Sequence, residues 1–346
     1  MSDYNLEFEL GKAAKILCED LFKLKKGETI VITADTGSDR RVVDATARAA
    51  FACDAKPMVI YTATPLGSSK ASDSMLPLES FAAALMKADA WVELNQTCIL
   101  YSTAYDLAFQ GNKKLRYLCL PTIDVEMMVR NIGRVDYPNL EKLMKLVFEK
   151  TFSAKHMMIT TPAGTDVEFD NVPGRKATLS LGFADTPGAY MMAGQIGWAP
   201  DFDSINGTIV FDGSLYPFGI LKEPIRLTIK KGEIVKFEGG SEAKEAEKWC
   251  KSFNDPQMLK LAHVCYSLNP GAKLTGNILE DERVWGATEW GIGEVGDIFI
   301  DGGIKGSSHT DGICLNSSVW LDDVQIMDKG QFIDPELKKL AEKLGK

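Results

Sequence analysis

Histidine is scarce in this chain: three among 346 residues, at positions 156, 263 and 309. A side chain that so often serves as metal ligand or proton carrier can therefore do so at few places. The seven cysteines (18, 53, 98, 119, 250, 265 and 314) are odd in number, widely spread and without a Cys-x-x-Cys pair. Their spacing gives no sign of zinc or redox work, and they read as buried reduced thiols, with only Cys265 and Cys314 near the later histidines. Positive charge is in deficit, at -9 overall, and the basic residues are scattered among acids, which argues against a nucleic-acid partner. No run approaches the roughly 18 apolar residues of a membrane helix. The start of the chain, Met1 to Glu7, lacks a basic-then-apolar signal pattern, so the expected location is the cytoplasm.

What remains is ordinary for globular protein: 45% hydrophobic, 25% charged, 30 glycines. At this length a chain divides into units of roughly 100–200 residues, which predicts two domains. Over 6–26 apolar residues recur at three and four, ending in Lys23, Lys25 and Lys26 before Gly27, a helix with a cationic last turn. The β-branched run 28–34, a helix from Arg40 to Cys53, a strand over 56–61, a helix around 78–88 and strands at 90–94 and 115–120 alternate as in a parallel sheet covered by helices. Residues 1–150 are thus expected to form an α/β domain, with 137–151 a helix leading out.

Beyond about 155 the rhythm changes. Runs at 155–161, 165–169, 207–212 and 225–230 read as strands, and Lys231-Gly232-Glu233 turns the chain into another at 234–238. A helix over 242–253 and a C-terminal one over 335–344 complete an α+β, largely antiparallel domain expected to span 151–346 and to carry the chemistry.

The loop Asp35-Thr36-Gly37-Ser38-Asp39 follows the first strand, but Gly-x-Gly-x-x-Gly is missing there and two aspartates repel phosphate, so it reads as a turn and helix cap. His156, alone in an apolar strand, reads as locally satisfied. His309 differs, because Asp311 follows at a spacing of two and a strand places both on one face. His263 and Glu289 each lie in apolar, aromatic surroundings where an ionisable group needs a partner. Together His263, Glu289, His309 and Asp311 make a two-histidine, two-carboxylate set suited to one divalent ion, Mn²⁺ or Fe²⁺ first and Zn²⁺ next, with a position left for water or substrate.

From about Thr160 to Gly330 the sequence resembles the metalloaminopeptidases of the aminopeptidase T and S type and their relatives, the 2,5-dihydroxypyridine 5,6-dioxygenases. The resemblance rests on Thr161-Pro162-Ala163-Gly164-Thr165-Asp166, on 206–212, on Glu238-Gly239-Gly240, on Asn269-Pro270 with 276–282, and on His309-Thr310-Asp311. It implies a two-domain fold, a metal site in the second domain and a homo-oligomer, expected as a dimer. His309 and Asp311 match ligands of both groups. His263 stands where the aminopeptidases have a glutamate and looks like the first iron-binding histidine of the dioxygenases. Glu289 replaces an aminopeptidase histidine, Gln195 replaces a glutamate, and the dioxygenases' serine ligand falls near Gly291.

A neutral Gln195 does not balance a second cation, which favours a single ion. These exchanges lead to a first expectation of a metal-dependent hydrolase acting on a small cyclic or carbonyl-containing compound through metal-activated water. Glu289 would be fourth ligand or general base, Gln195 an oxyanion donor, and Trp198, Tyr266 and Trp290 pocket walls. The alternatives are a ring-cleaving Fe²⁺ dioxygenase using His263, His309 and Asp311, then a metalloaminopeptidase, then a small-ligand binding protein without chemistry.

Overall fold

The computed structural model describes residues 6–346. The targeting expectation falls partly on residues 1–5, outside the described residues. Among the described residues no helix is long and apolar enough to cross a membrane.

The chain runs through α1 (Glu7–Ile16), β1 (Thr29–Asp35), α2 (Arg40–Ala52), β2 (Lys56–Thr62), α3 (Leu78–Leu85), β3 (Ala90–Glu93), α4 (Thr103–Gly111), β4 (Arg116–Cys119), α5 (Val125–Met128) and α6 (Tyr137–Ser153). It continues with β5 (His156–Thr160), β6 (Asp166–Asp170), β7 (Ala177–Ser180), β8 (Gly188–Met191), β9 (Gln195–Trp198), β10 (Asn206–Phe211), β11 (Ser214–Leu215), β12 (Gly219–Ile220), β13 (Ile225–Lys230), β14 (Glu233–Glu238) and α7 (Ser241–Ser252). The last part contains β15 (Leu261–Ser267), α8 (Ile278–Asp281), β16 (Ala287–Val295), β17 (Ile304–Cys314), β18 (Ser318–Leu321), β19 (Val324–Asp328), β20 (Gln331–Phe332) and α9 (Pro335–Lys343).

These elements form two compact units. The first ends at Val135 but takes back residues 182–193, and the second holds 136–181 and 194–346. The division expected at residue 150 therefore falls earlier, because α6 packs with α9 of the second unit.

In the first unit the sheet is parallel throughout, in the order β2-β1-β3-β4-β8. Ile30, Val31, Ile32 and Ala34 are all buried, as a parallel strand covered on both faces requires. The first helix, continuing past α1 in a wider turn to Leu21, stops short of the expected Lys26, because Lys23 takes a left-handed φ of 48°. The loop after β1 is the turn and cap expected of it. Asp35 accepts from the Gly37 and Thr97 amides, and Asp39 caps α2 by accepting from the Arg41 amide.

The second unit is built from two antiparallel sheets. One has eight strands in the order β14-β13-β10-β6-β5-β18-β19-β20, and the other seven in the order β12-β11-β17-β16-β15-β9-β7. Phe169 of β6 meets Trp290 of β16 at 5.5 Å and Trp198 of β9 at 6.5 Å between ring centroids, so an aromatic layer joins the two sheets. That layer fixes which face of the seven-stranded sheet is left for chemistry.

Candidate metal centre

Side chains alternate along a strand with a period of two, and in four neighbouring strands the odd-numbered positions face the same way. These positions carry Gln195 on β9, His263 and Cys265 on β15, Glu289 and Gly291 on β16, and His309 and Asp311 on β17. The register places His263 opposite Gly291, and Gly291 opposite Asp311. Gly291 thus lies between the two ligand-type residues. A Cβ there would sit 2.4 Å from the His263 ring, so the ring occupies the space that any other residue would fill.

Across that gap the four expected side chains converge. His263 Nε2 is 2.9 Å from Glu289 Oε1 and 3.4 Å from Asp311 Oδ1, and His309 Nε2 is 3.0 Å from the same Asp311 oxygen. Adjacent donors around a six-coordinate ion with bonds of about 2.1 Å lie about 3.0 Å apart, so this spacing suits a small divalent cation. His263, His309 and Asp311 each bring a ligand atom within 4.8 Å of the others. His309 donates from Nδ1 to the Glu294 carbonyl at 2.8 Å, which turns Nε2 toward the cluster as metal-binding imidazoles require. His263 Nδ1, by contrast, is buried without a hydrogen-bond partner among the described residues, so its ring is held by packing against Phe299 at 4.9 Å.

The electrostatics reflect acids crowded together where water reaches them only in part. Burial, then the Asp311 charge, pushes the Glu289 carboxyl well above its usual range, and burial with Glu289 beside it raises Glu282 to about 8. Asp311 falls to about 2, the His309 charge and hydrogen bond outweighing burial, and His309 correspondingly rises to about 9. Burial lowers His263 to about 4.

Gln195 donates from Nε2 to Glu289 Oε2 at 2.5 Å and approaches Glu282 Oε2 at 3.3 Å. Its amide donor, expected to face a developing oxyanion, is here directed to these two carboxyl groups. Glu282 is a member of the cluster that sequence reasoning missed. It follows α8, is paired to buried Arg283 at 3.0 Å, and with Glu289 and Asp311 forms another group of converging donors. Its signal in the sequence was its place at the end of the 276–282 stretch that carries the family resemblance.

The three residues expected as pocket walls lie elsewhere. Trp198, Tyr266 and Trp290 occupy even positions on their strands, are 2%, 0% and 0% exposed, and form the aromatic layer between the sheets. His156 is where its sequence reading placed it, bonded locally to Asp170 at 2.8 Å.

Comparison with known proteins bears on the fold and the family. A curated 2,5-dihydroxypyridine 5,6-dioxygenase of Pseudomonas putida KT2440 is 30% identical over 198 residues, a stretch that spans 53% of this chain and 55% of that relative. The solved structure of 2,5-dihydroxypyridine dioxygenase from the same organism superposes with a TM-score of 0.77 at 21% identity, covering 96% of this chain and 99% of the other. Wild-type AmpT from Thermus thermophilus superposes with a TM-score of 0.68 at 15% identity, covering 95% and 100%. Both share the two-domain fold, a parallel α/β part and an antiparallel β-rich part. The sequence profile of the dioxygenase family extends over residues 17–334, nearly the whole of both units, and so this chain belongs to the 2,5-dihydroxypyridine 5,6-dioxygenase family.

Proposed function

We propose that the protein is a non-haem iron(II) dioxygenase that opens a hydroxylated, nitrogen-containing aromatic ring. The observation that carries this reading is the convergence of His263, His309 and Asp311, two imidazoles and one carboxylate whose ligand atoms all lie within 4.8 Å of one another, within a chain of this family. That donor set is the one non-haem Fe(II) oxygenases use, with the remaining positions open. Membership of a ring-cleaving family supports it over the hydrolase expected first, for which the comparisons offer only the fold shared with AmpT.

When bound, a ferrous ion supplies the one-electron chemistry through which dioxygen reacts with an organic ring. The protein's own groups then have separable tasks. His263, His309 and Asp311 would hold the ion. Glu289, whose carboxyl burial and the Asp311 charge push toward its protonated form, can hold or release a proton at its oxygens beside a phenolic substrate. Gln195 fixes the rotamer of Glu289 through its amide, and Phe299, against the His263 ring, keeps water from that flank.

The test is oxygen uptake with 2,5-dihydroxypyridine and related hydroxypyridines after anaerobic loading with Fe²⁺. One O₂ consumed per ring opened is the expected result. Ring loss at full rate without oxygen would overturn the proposal and restore the hydrolytic reading.

A further inference from the structure

Far along the chain from the histidines, the first unit gathers a second set of ligand-type side chains. Its strand order reverses between β1 and β3, and the carboxyl ends of parallel strands beside such a reversal are where open α/β sheets bind ligands. Glu93 is the last residue of β3, Cys119 the last of β4, and Cys98 lies in the loop after β3. Glu93 is fully buried, Cys119 is 3% exposed, and Cys98 is partly buried.

The two sulfurs are 4.0 Å apart, and with one Glu93 oxygen the three donor atoms all lie within 4.8 Å of one another. A separation of 4.0 Å is about twice a disulfide bond of ~2.05 Å. It is close to the ~3.8 Å that two thiolates keep on a tetrahedral ion with metal–sulfur bonds of ~2.3 Å.

The surroundings are those of a supported site. Glu93 Oε1 accepts the Ile99 amide at 2.8 Å and Oε2 accepts the Tyr117 hydroxyl at 2.5 Å, leaving lone pairs on both oxygens while fixing the carboxylate. The Tyr117 ring packs on Trp91 at 4.1 Å, so the polar groups are enclosed by aromatic surface. Asn95, two residues beyond Glu93, is fully buried, and both atoms of its amide lack a partner among the described residues. Its main-chain carbonyl accepts the Thr122 amide just after β4, which locates the residue at the same end of the sheet. Buried side-chain amides are nearly always answered by protein, water or ligand.

We propose that Glu93, Cys98 and Cys119 form a second metal site, specific to the first unit, for a thiophilic divalent cation of the zinc class, with a water in the fourth position. Binding replaces two S–H bonds by two metal–sulfur bonds and releases two protons to solvent, with no change of oxidation state, while Glu93 adds as the third ligand. The site ties the loop after β3 to the end of β4 and stands independently of the iron reading.

Cadmium(II) is the probe, because its bonds to thiolates produce a near-ultraviolet charge-transfer band that histidine and carboxylate ligands do not. Titration of the reduced full-length chain is expected to give a band that saturates at one equivalent, is displaced by zinc, persists in Cys265→Ser and disappears in the Cys98→Ser/Cys119→Ser double variant. Glu93→Gln is expected to weaken zinc at least about tenfold. Absence of the band in the wild type, or an equal band in the double variant, overturns the proposal. Should the double variant not fold, iodoacetamide labelling of the wild type decides: zinc must protect Cys98 and Cys119 together, and equal labelling with and without zinc counts against the site.

Discussion

His263 and His309 lie face to face, ring centroids 5.1 Å apart and planes 18° from parallel, although β16 runs between their strands. Two imidazoles on strands that are next-but-one neighbours, roughly 9–10 Å apart, meet only if the middle strand offers no side chain at the crossing point. Gly291 meets that condition. Gly291→Ala should displace the His263 ring and lower iron affinity at least tenfold with little change in thermal midpoint of the metal-free protein. Iron titration followed by thermal unfolding checks both halves.

Removal of a ligand should cost more than displacement. His309→Ala and Asp311→Ala are each expected to abolish stoichiometric iron uptake and to lower ring-opening turnover by more than about 100-fold, since loss of an outer partner alone typically costs 10–100-fold. Metal content of the purified variants is the measurement, and full iron occupancy in either would remove that residue from the ligand set.

Gln195→Ala tests positioning. With the amide gone, Glu289 loses its fixed donor while His263 and Asp311 remain in place. Turnover should fall about 10–100-fold with iron still bound. A variant that loses the metal altogether would instead make Gln195 part of the ion's own shell.

Asp334 gives a prediction about stability and pH away from the site. It caps α9 by accepting the Glu336 and Leu337 amides and meets Lys150 of α6 at 3.0 Å. Burial works against its ionisation, but those amides and the Lys150 ammonium outweigh it, so its carboxyl lies below the usual value. A lowered folded value means that the stabilisation is complete above the unfolded pKa near 3.9 and is lost as pH falls through the folded one. Asp334→Ala should cost about 1 kcal/mol at pH 7. The gap to wild type should narrow below about pH 4 in denaturant titrations.

Periodicity was enough to find most of this architecture. The strand-helix alternation before residue 135 and the turn at Lys231-Gly232-Glu233 have local causes in burial pattern and glycine conformation, so they can be read residue by residue. β8 has no such local signature. Its four residues, Gly188–Met191, pair with Arg116–Cys119 far back in the chain, and only that pairing assigns them to the first unit. His263 and Glu289 stood out because ionisable groups in apolar strands are unusual, and His309 and Asp311 because a spacing of two in a strand places both on one face. The aromatic residues beside them were misplaced for want of one step: Trp290 follows Glu289, and neighbours in a strand cannot face the same side. Cys98 and Cys119 were invisible as a pair, since 21 residues of sequence separate side chains that the sheet brings to 4.0 Å.

The return of residues 182–193 to the first unit has a consequence for how this protein can be made and cut. Neither unit is a continuous segment. A chain that stops at Val135 would leave β4 without its outer neighbour, exposing a row of unpaired backbone groups of the kind that recruits other chains into aggregates. On the ribosome the first sheet cannot close until Met191 has emerged, by which time the opening strands of the second unit are already out. The two halves are bound to mature as one molecule, and inheritance of either half alone by gene fusion or truncation should yield an insoluble product.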